Sequence, residues 1–153
     1  MGAWGYKALE SDAGFDVLDF IKENIPQNYE FELSEIIALM KENGFLAKNE
    51  IDFFYDNSAI ALTEFYFMFK DNEKFNFPKN DDDDGYSKFN VIKAFTANGS
   101  SLDYLLKCLL DIKNKVADED GEREIILLWR DSKSWEEWQN HLNELINKLK
   151  KEV

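Results

Sequence analysis

The segment from Ala59 to Lys70 carries apolar side chains on nearly every side of the helix that it would form, interrupted by Thr63 and Glu64. A helix without a polar face has to be packed on several sides. We therefore expect this segment to be the central element of the fold, with Asn57 or Ser58 as its N-cap. The apolar run is too short to span a bilayer, so it predicts a buried core helix and no membrane partner.

Apolar residues recur at three- and four-residue spacing through most of the remaining chain, which is the period of amphipathic helices. Further helices are predicted over residues 13–24, 31–43 (ended by a left-handed Gly44), 87–96, 100–116, 122–130 and from 134 onward. A strand is the alternative for 87–96, and residues 51–55 could form either a short helix or a strand. With 2 Pro and 7 Gly, the chain is poor in the turn residues of an all-β protein. The sequence predicts one mostly α-helical domain over residues 1–153, a bundle of about six or seven helices with room for a short strand or hairpin.

Polar residues at the predicted helix ends indicate how the helices begin. Asp12 is the predicted N-cap of the first helix, and Ser100 or Ser101 that of the helix beginning near residue 100. In the last helix, Ser134 and Glu137 have the spacing of a capping box, in which each side chain bonds the other's backbone amide.

The negative charge of the chain is large and unevenly distributed. There are 18 Lys and Arg against 31 Asp and Glu, a net charge of −13, and residues 1–84 hold 19 of the acids against 7 Lys. Such a surface repels nucleic acid and anionic lipid, and it attracts a basic protein. The simpler alternative is that the charge only keeps the protein soluble. The partner predicted is a basic protein, with no nucleic acid and no membrane.

Four adjacent carboxylates, Asp81, Asp82, Asp83 and Asp84, form the most acidic run of the sequence. Because like charges repel and stay hydrated, we expect a solvated loop and propose these residues as partner-binding. The run resembles the start of a calcium loop counted from Asn80. Position twelve of such a loop should be a bidentate Glu, but here it is Val91.

The low count of metal-binding and nucleophilic residues excludes several site classes. One Cys and one His rule out a disulfide framework, a Cys-based zinc site and any multi-His centre. Cys108 lies among leucines and is expected to be a small buried hydrophobe. His141 has no Ser or Cys partner in a recognisable motif, and no phosphate-binding or dinucleotide loop is visible. We therefore expect no cofactor, no catalytic residue and no enzymatic activity.

Glu10, Asp12 and Asp16 are close in sequence, and the last two share a helix face. One interpretation is a divalent-cation site, which would need about six oxygen ligands. The favoured interpretation is structural. In it Asp12 caps the helix, Asp16 holds the N-terminal arm and Glu10 complements the positive end of the helix.

Glu64 is the one carboxylate inside the apolar helix, and a buried charge must be paired or hydrogen-bonded. We expect it to accept hydrogen bonds from the N-terminal arm, from the Trp4 indole or from backbone amides around Gly5. Together with Glu10, Asp12 and Asp16, these residues are predicted to form a structural lock without a metal.

Three blocks of the chain carry motifs of one family. They are Gly2-Ala3-Trp4-Gly5 with Glu10-Ser11-Asp12 and Asp16, then Ala59-Ile60-Ala61 with Glu64, and finally Glu124, Leu128-Trp129, Asp131-Ser132 and Trp138. In this order they resemble the bacterial family called domain of unknown function DUF4259. The resemblance implies an α-helical fold and brings no catalytic residues. Some members of the family look like immunity proteins of bacterial toxin systems.

The expectation drawn from these features is an acidic, cytoplasmic protein-binding protein, since the N-terminus lacks the pattern of a secretory signal. Its most specific form is an immunity-type protein that neutralises a basic toxin by charge complementarity. The alternative is a metal-binding protein or hydrolase that uses Glu10, Asp12, Asp16 and Glu64. Either a monomer or a homodimer is compatible with the sequence, and a dimer would be joined by surplus aromatic residues: Phe53, Phe54, Tyr66 and Phe69.

Overall fold

The computed structural model describes residues 5–47, 52–78, 85–117 and 121–153. The elements in chain order are α1 (Asp12–Glu23), β1 (Glu30–Glu32), α2 (Leu33–Glu42), α3 (Phe53–Asn72), a 3-10 helix (Tyr86–Val91), β2 (Ala94–Thr96), α4 (Gly99–Lys113), α5 (Glu124–Arg130) and α6 (Trp135–Glu152). The prediction of a mostly helical fold with a small strand element is confirmed. Within the described ranges, no helix has the length and apolar character needed to cross a membrane.

α3 lies at the centre of the molecule, as its lack of a polar face predicts. Every residue from 56 to 67 is buried, and α1, α4, α5 and α6 pack around the helix. The ring of Phe65 belongs to an aromatic cluster, with centroid distances of 4.5 to 5.9 Å to its neighbours Phe31, Phe75, Phe89 and Phe95. Such edge-to-face and offset contacts add to the free energy gained by burying the rings.

The start of α3 differs from the prediction. Asn57 and Ser58 are not caps, because the helix begins at Phe53, before both residues. Both side chains are buried in the protein core. The first turn is capped from a distant element, since the Phe53 amide donates to Glu124 Oε1 of α5 at 2.7 Å. A cap supplied by tertiary packing leaves no local signal in the sequence.

Two further predicted caps are also wrong. Ser11 caps α1 instead of Asp12, because its Oγ accepts from the Gly14 amide at 3.0 Å. Asn98 caps α4 in a reciprocal box with Ser101, whose amide donates to Asn98 Oδ1 at 2.7 Å.

The predicted capping box at the start of α6 is absent, since Ser134 makes no side-chain cap bond. Its φ of −100° and ψ of 14° are not the extended values that an N-cap needs to aim its side chain at the helix amides. Gly44 does adopt the predicted left-handed conformation, with φ of 82°.

The two short strands form a parallel pair with Phe31 opposite Phe95. The sequence pattern predicts that Phe31 begins a helix and that residues 87–96 form a helix, with a strand as the alternative. The structure instead divides the second segment into a 3-10 turn and β2. Burial alternates along β1, since Phe31 is buried in the aromatic cluster while Glu30 and Glu32 on either side are exposed. This two-residue period is that of a strand, which explains why Phe31 does not begin a helix.

The aromatic residues considered as a dimer surface belong to the interior. Tyr66 and Phe69 are buried, and Phe53 and Phe54 are partly buried. Phe54 packs against Phe45 with a centroid distance of 5.4 Å. These four side chains are therefore engaged within the chain and do not form an exposed apolar face.

Candidate functional site

A cavity of about 680 Å³ lies between the N-terminal arm (residues 5–10), α1, α3 and α6. Its polar lining comprises Lys7, Glu10, Glu64, Asp71, Asn72, His141 and Lys148. Its apolar lining includes Phe15, Leu18, Phe67, Phe77, Tyr86 and Leu145. An apolar pocket with a few convergent polar groups is the usual form of a ligand site.

Glu64 anchors the floor of this cavity. Its Oε2 accepts hydrogen bonds from the Ala8 amide at 2.8 Å and from His141 Nε2 at 2.7 Å, and its Oε1 accepts from the Leu9 amide at 2.8 Å. The Glu64 side chain is 6% exposed. One buried carboxylate therefore ties the N-terminal arm to α3 and α6.

The donors to Glu64 differ in part from those expected. The amides that donate are those of Ala8 and Leu9, further along the arm than Gly5, while Trp4 lies outside the described residues. Gly5 contributes in another way, because a Cβ at this position would overlap the carboxylate of Glu10. Glu10 in turn accepts from the Lys7 amide at 3.2 Å, which closes a tight turn of the arm.

Gly14 explains how the arm reaches Glu64. A Cβ on Gly14 would overlap the Ala8 carbonyl oxygen and lie 2.8 Å from Leu9 Cα, so only glycine lets the arm cross α1 at this point. Ser11 Oγ donates to the same Ala8 carbonyl at 2.6 Å. The two residues together turn the amides of Ala8 and Leu9 toward Glu64, a role that sequence reasoning missed.

The role of His141 is also one that sequence reasoning missed. Because a carboxylate only accepts, its partner Nε2 must carry the proton, which leaves Nδ1 as an acceptor when the ring is neutral. The edge of the ring also contacts Tyr6, with a centroid distance of 5.5 Å and an interplanar angle of 70°. The imidazole is thus held in one tautomer and one orientation, an arrangement typical of histidines that bind a ligand or transfer a proton.

The predicted carboxylate group is not assembled around one point. Asp12 and Asp16 are exposed on α1, whereas Glu10 and Glu64 line the cavity. Over the described ranges, no group of three or more His, Cys, Asp or Glu could hold a metal ion. The acidic run Asp81–Asp84 lies outside the described residues.

An acidic stripe runs along the outer face of α1. Asp12, Asp16, Asp19 and Glu23 follow one another at steps of four, three and four residues, which places them on one side of the helix. Lys22 is the only base on α1, and its Nζ lies 3.7 Å from Asp19 Oδ1. We call these four carboxylates the α1 stripe.

A buried ion pair near the start of α3 is a further feature that the sequence does not predict. Arg123 Nη1 donates to Asp56 Oδ1 at 2.7 Å and to Oδ2 at 2.9 Å, with both side chains less than a tenth exposed. Burial raises the pKa of Asp56 to about 6, although the guanidinium of Arg123 acts in the opposite direction. The pair holds the segment before α5 against α3.

Cys108 lies in a second, smaller cavity of about 280 Å³ beside that ion pair. The thiol is partly buried, and its burial raises its pKa to about 11. It therefore stays protonated near neutral pH, and a protonated thiol is a poor nucleophile.

Comparison with known proteins identifies the family. Residues 2–141 match the model of the family described as "Domain of unknown function (DUF4259)", so the chain belongs to this family and the resemblance inferred from its motifs is confirmed. The matched range includes both Glu64 and His141. No curated protein and no solved structure shows a significant match to the chain.

Proposed function

We propose that this member of the DUF4259 family is a protein-binding protein that presents an acidic surface to a basic protein partner. The observation that carries the proposal is the α1 stripe, in which four carboxylates share the solvent-facing side of α1. In its most specific form, the proposal is an immunity-type role in which the partner is a basic toxin.

The charge distribution of the whole chain supports this proposal. Residues 1–84 hold 19 of the 31 acids, and the α1 stripe lies in this part of the sequence. A concentrated negative field accelerates the encounter with a positively charged partner and suppresses binding of acidic ones. Asp81–Asp84 remain proposed partner-binding residues on the basis of their sequence.

The experiment measures how fast the chain associates with a basic protein encoded beside its own gene. A fourfold variant, Asp12→Asn, Asp16→Asn, Asp19→Asn and Glu23→Gln, removes the α1 stripe with little change of shape. A matched control replaces four exposed acids of α6 by glutamine: Glu136, Glu137, Glu144 and Glu152. Association rates are compared at low and at high salt.

We expect the α1 variant to associate about tenfold more slowly than the unsubstituted protein at low salt, and the α6 control to change much less. We also expect the rate to fall as salt is added, because exposed charges are screened beyond roughly 10 Å at 0.1 M ionic strength. An equal effect of the two variants, or a rate independent of salt, contradicts the proposal.

A further inference from the structure

We propose that the cavity of about 680 Å³ between the N-terminal arm, α1, α3 and α6 binds an organic cation on an apolar stem, namely a lysine or arginine side chain of the basic partner. This inference rests on the proposed function and assigns a specific contact to it. Three independent features of the cavity lead to this ligand class: the hydrogen-bonding state of His141, the balance of charges in the lining and the aromatic walls.

The first feature is an acceptor that the described contacts leave available. His141 uses Nε2 to donate to Glu64 at 2.7 Å, and within the described residues no hydrogen bond to its Nδ1 is present. In the neutral ring Nδ1 carries a lone pair. While the ring is neutral, a ligand that donates a hydrogen bond, such as an ammonium or a guanidinium, matches this atom, whereas a carboxylate or phosphate does not.

The second feature is the sign of the charge. Among the lining residues that the structure describes, the carboxylates are Glu10, Glu64 and Asp71, and the ammonium groups are Lys7 and Lys148. Lys148 and Asp71 are engaged with each other, because Lys148 Nζ lies 2.6 Å from Asp71 Oδ2, which leaves Glu10 and Glu64 against Lys7. Opposite charges attract more strongly in a partly dehydrated site than in water, so the excess carboxylate favours a cation.

The third feature is the aromatic wall. Ring faces attract cations through their quadrupole, and Phe77 is a lining ring in addition to two rings that already face a lysine of the chain. Lys148 Nζ lies 5.2 Å from the centroid of Phe67, and Lys22 Nζ lies 5.2 Å from that of Tyr86. Leu18 and Leu145 offer apolar surface for the methylene stem of a ligand.

The position of the cavity links it to the α1 stripe. Phe15 and Leu18 line the cavity from α1, and the stripe runs along the outer face of the same helix. Asp19 of the stripe accepts a hydrogen bond from the hydroxyl of Tyr86, a cavity residue, at 2.9 Å. A basic partner attracted by the stripe therefore arrives beside an opening that accommodates one of its side chains.

The first test uses small probes with the whole chain at pH 7.5. Butylguanidinium is titrated into the protein and the side-chain nitrogens of His141 are followed by NMR, with hexanoate and pentanol as probes of similar stem length. We expect saturable shifts with butylguanidinium and weaker binding of the other two. No saturation with butylguanidinium, or equally strong binding of hexanoate or pentanol, overturns the proposal.

A pair of variants locates the binding. Glu10→Gln removes a carboxylate that lines the cavity, whereas Glu144→Gln removes an exposed carboxylate of α6 that does not. We expect the first variant to bind butylguanidinium about threefold more weakly, the scale of one partly exposed charge contact, and the second to bind it unchanged. Equal affinities of both variants overturn the proposal.

A competition experiment separates this inference from the proposed function. Saturating butylguanidinium should weaken binding of the basic partner beyond the effect of an equal concentration of guanidinium chloride. If the partner binds with its dependence on salt and on the α1 stripe intact but without competition, the cavity proposal fails and the acidic-surface proposal stands. If the partner shows no such dependence, the proposed function fails.

Discussion

Glu64 on α3 and His141 on α6 meet through a contact of 2.7 Å between Oε2 and Nε2, although they lie 77 residues apart in the chain. Because the same carboxylate also accepts hydrogen bonds from the amides of Ala8 and Leu9, the N-terminal arm and α6 are both bound to one side chain of α3. A carboxylate satisfied by three donors is stable in a buried position, whereas an unpaired one would be costly. The pair is therefore both a structural junction and the polar floor of the cavity.

Replacing Glu64 should cost substantial stability. Glu64→Gln keeps the size of the side chain but turns an NH₂ group toward donors that need an acceptor, so we expect a loss of about 2–4 kcal/mol in the free energy of unfolding. Urea denaturation followed by circular dichroism measures this loss. The control Glu144→Gln, at an exposed position, should change stability by less than about 0.5 kcal/mol, and a similarly small change at Glu64 would show that the three hydrogen bonds contribute little.

Gly14→Ala should destabilise the protein even though alanine favours helices. In an exposed helix the change would add up to about 1 kcal/mol of stability, but here the new methyl group would overlap the Ala8 carbonyl and push the arm off α1. Gly99→Ala is the matched control, because no atom lies within 4 Å of a Cβ at that position. Thermal melts of both variants decide the point, and a stabilised Gly14→Ala protein would mean that the arm does not need this close approach.

Asp56 should make the free energy of unfolding fall as the pH rises, which is the opposite of the usual effect of a carboxyl group. Because its pKa is raised from 3.8 to about 6 in the folded state, the folded protein binds more protons than the unfolded chain between these values. Its contribution to stability is therefore fully present below about pH 4 and is lost as the pH rises through about 6. By the linkage relation the loss amounts to at most about 3 kcal/mol.

The measurement for Asp56 compares the unfolding free energies of the unsubstituted protein and Asp56→Asn from pH 4 to pH 7. The advantage of the unsubstituted protein should shrink as the pH rises across this window, since asparagine does not titrate. An advantage that grows with pH would show that pairing with Arg123 outweighs burial.

Asn98→Ala should weaken the start of α4, because the Asn98 side chain accepts from the Ser101 amide at 2.7 Å. The expected cost is about 1 kcal/mol, the usual value of an N-cap. Ser134→Ala should cost less, since Ser134 makes no side-chain cap bond to α6. Equilibrium denaturation of the two variants compares them directly, and a larger loss at Ser134 would favour the capping box that its spacing with Glu137 predicts.

Local patterns in the sequence were sufficient for the features that depend on neighbouring residues. The spacing of apolar side chains identifies α3 as the buried centre and predicts the amphipathic helices around it. The left-handed turn at Gly44 and the burial of Glu64 follow from single residues in their local context. The family was recognisable as well, because its motifs are short and occur in a fixed order.

Contacts between distant segments were decided only by tertiary packing. The pairing of Phe31 with Phe95, the cap that Glu124 supplies to Phe53 and the contact of Glu64 with His141 each join segments more than 60 residues apart. Helical periodicity shows which face of a helix is buried, but it does not show which helix covers that face. A hydrogen bond or a cap between distant segments depends on how the helices are arranged. The sequence by itself was therefore sufficient to predict most of the helices and the buried charge of Glu64. The partners of these elements, and the cavity between them, were decided only by the tertiary structure.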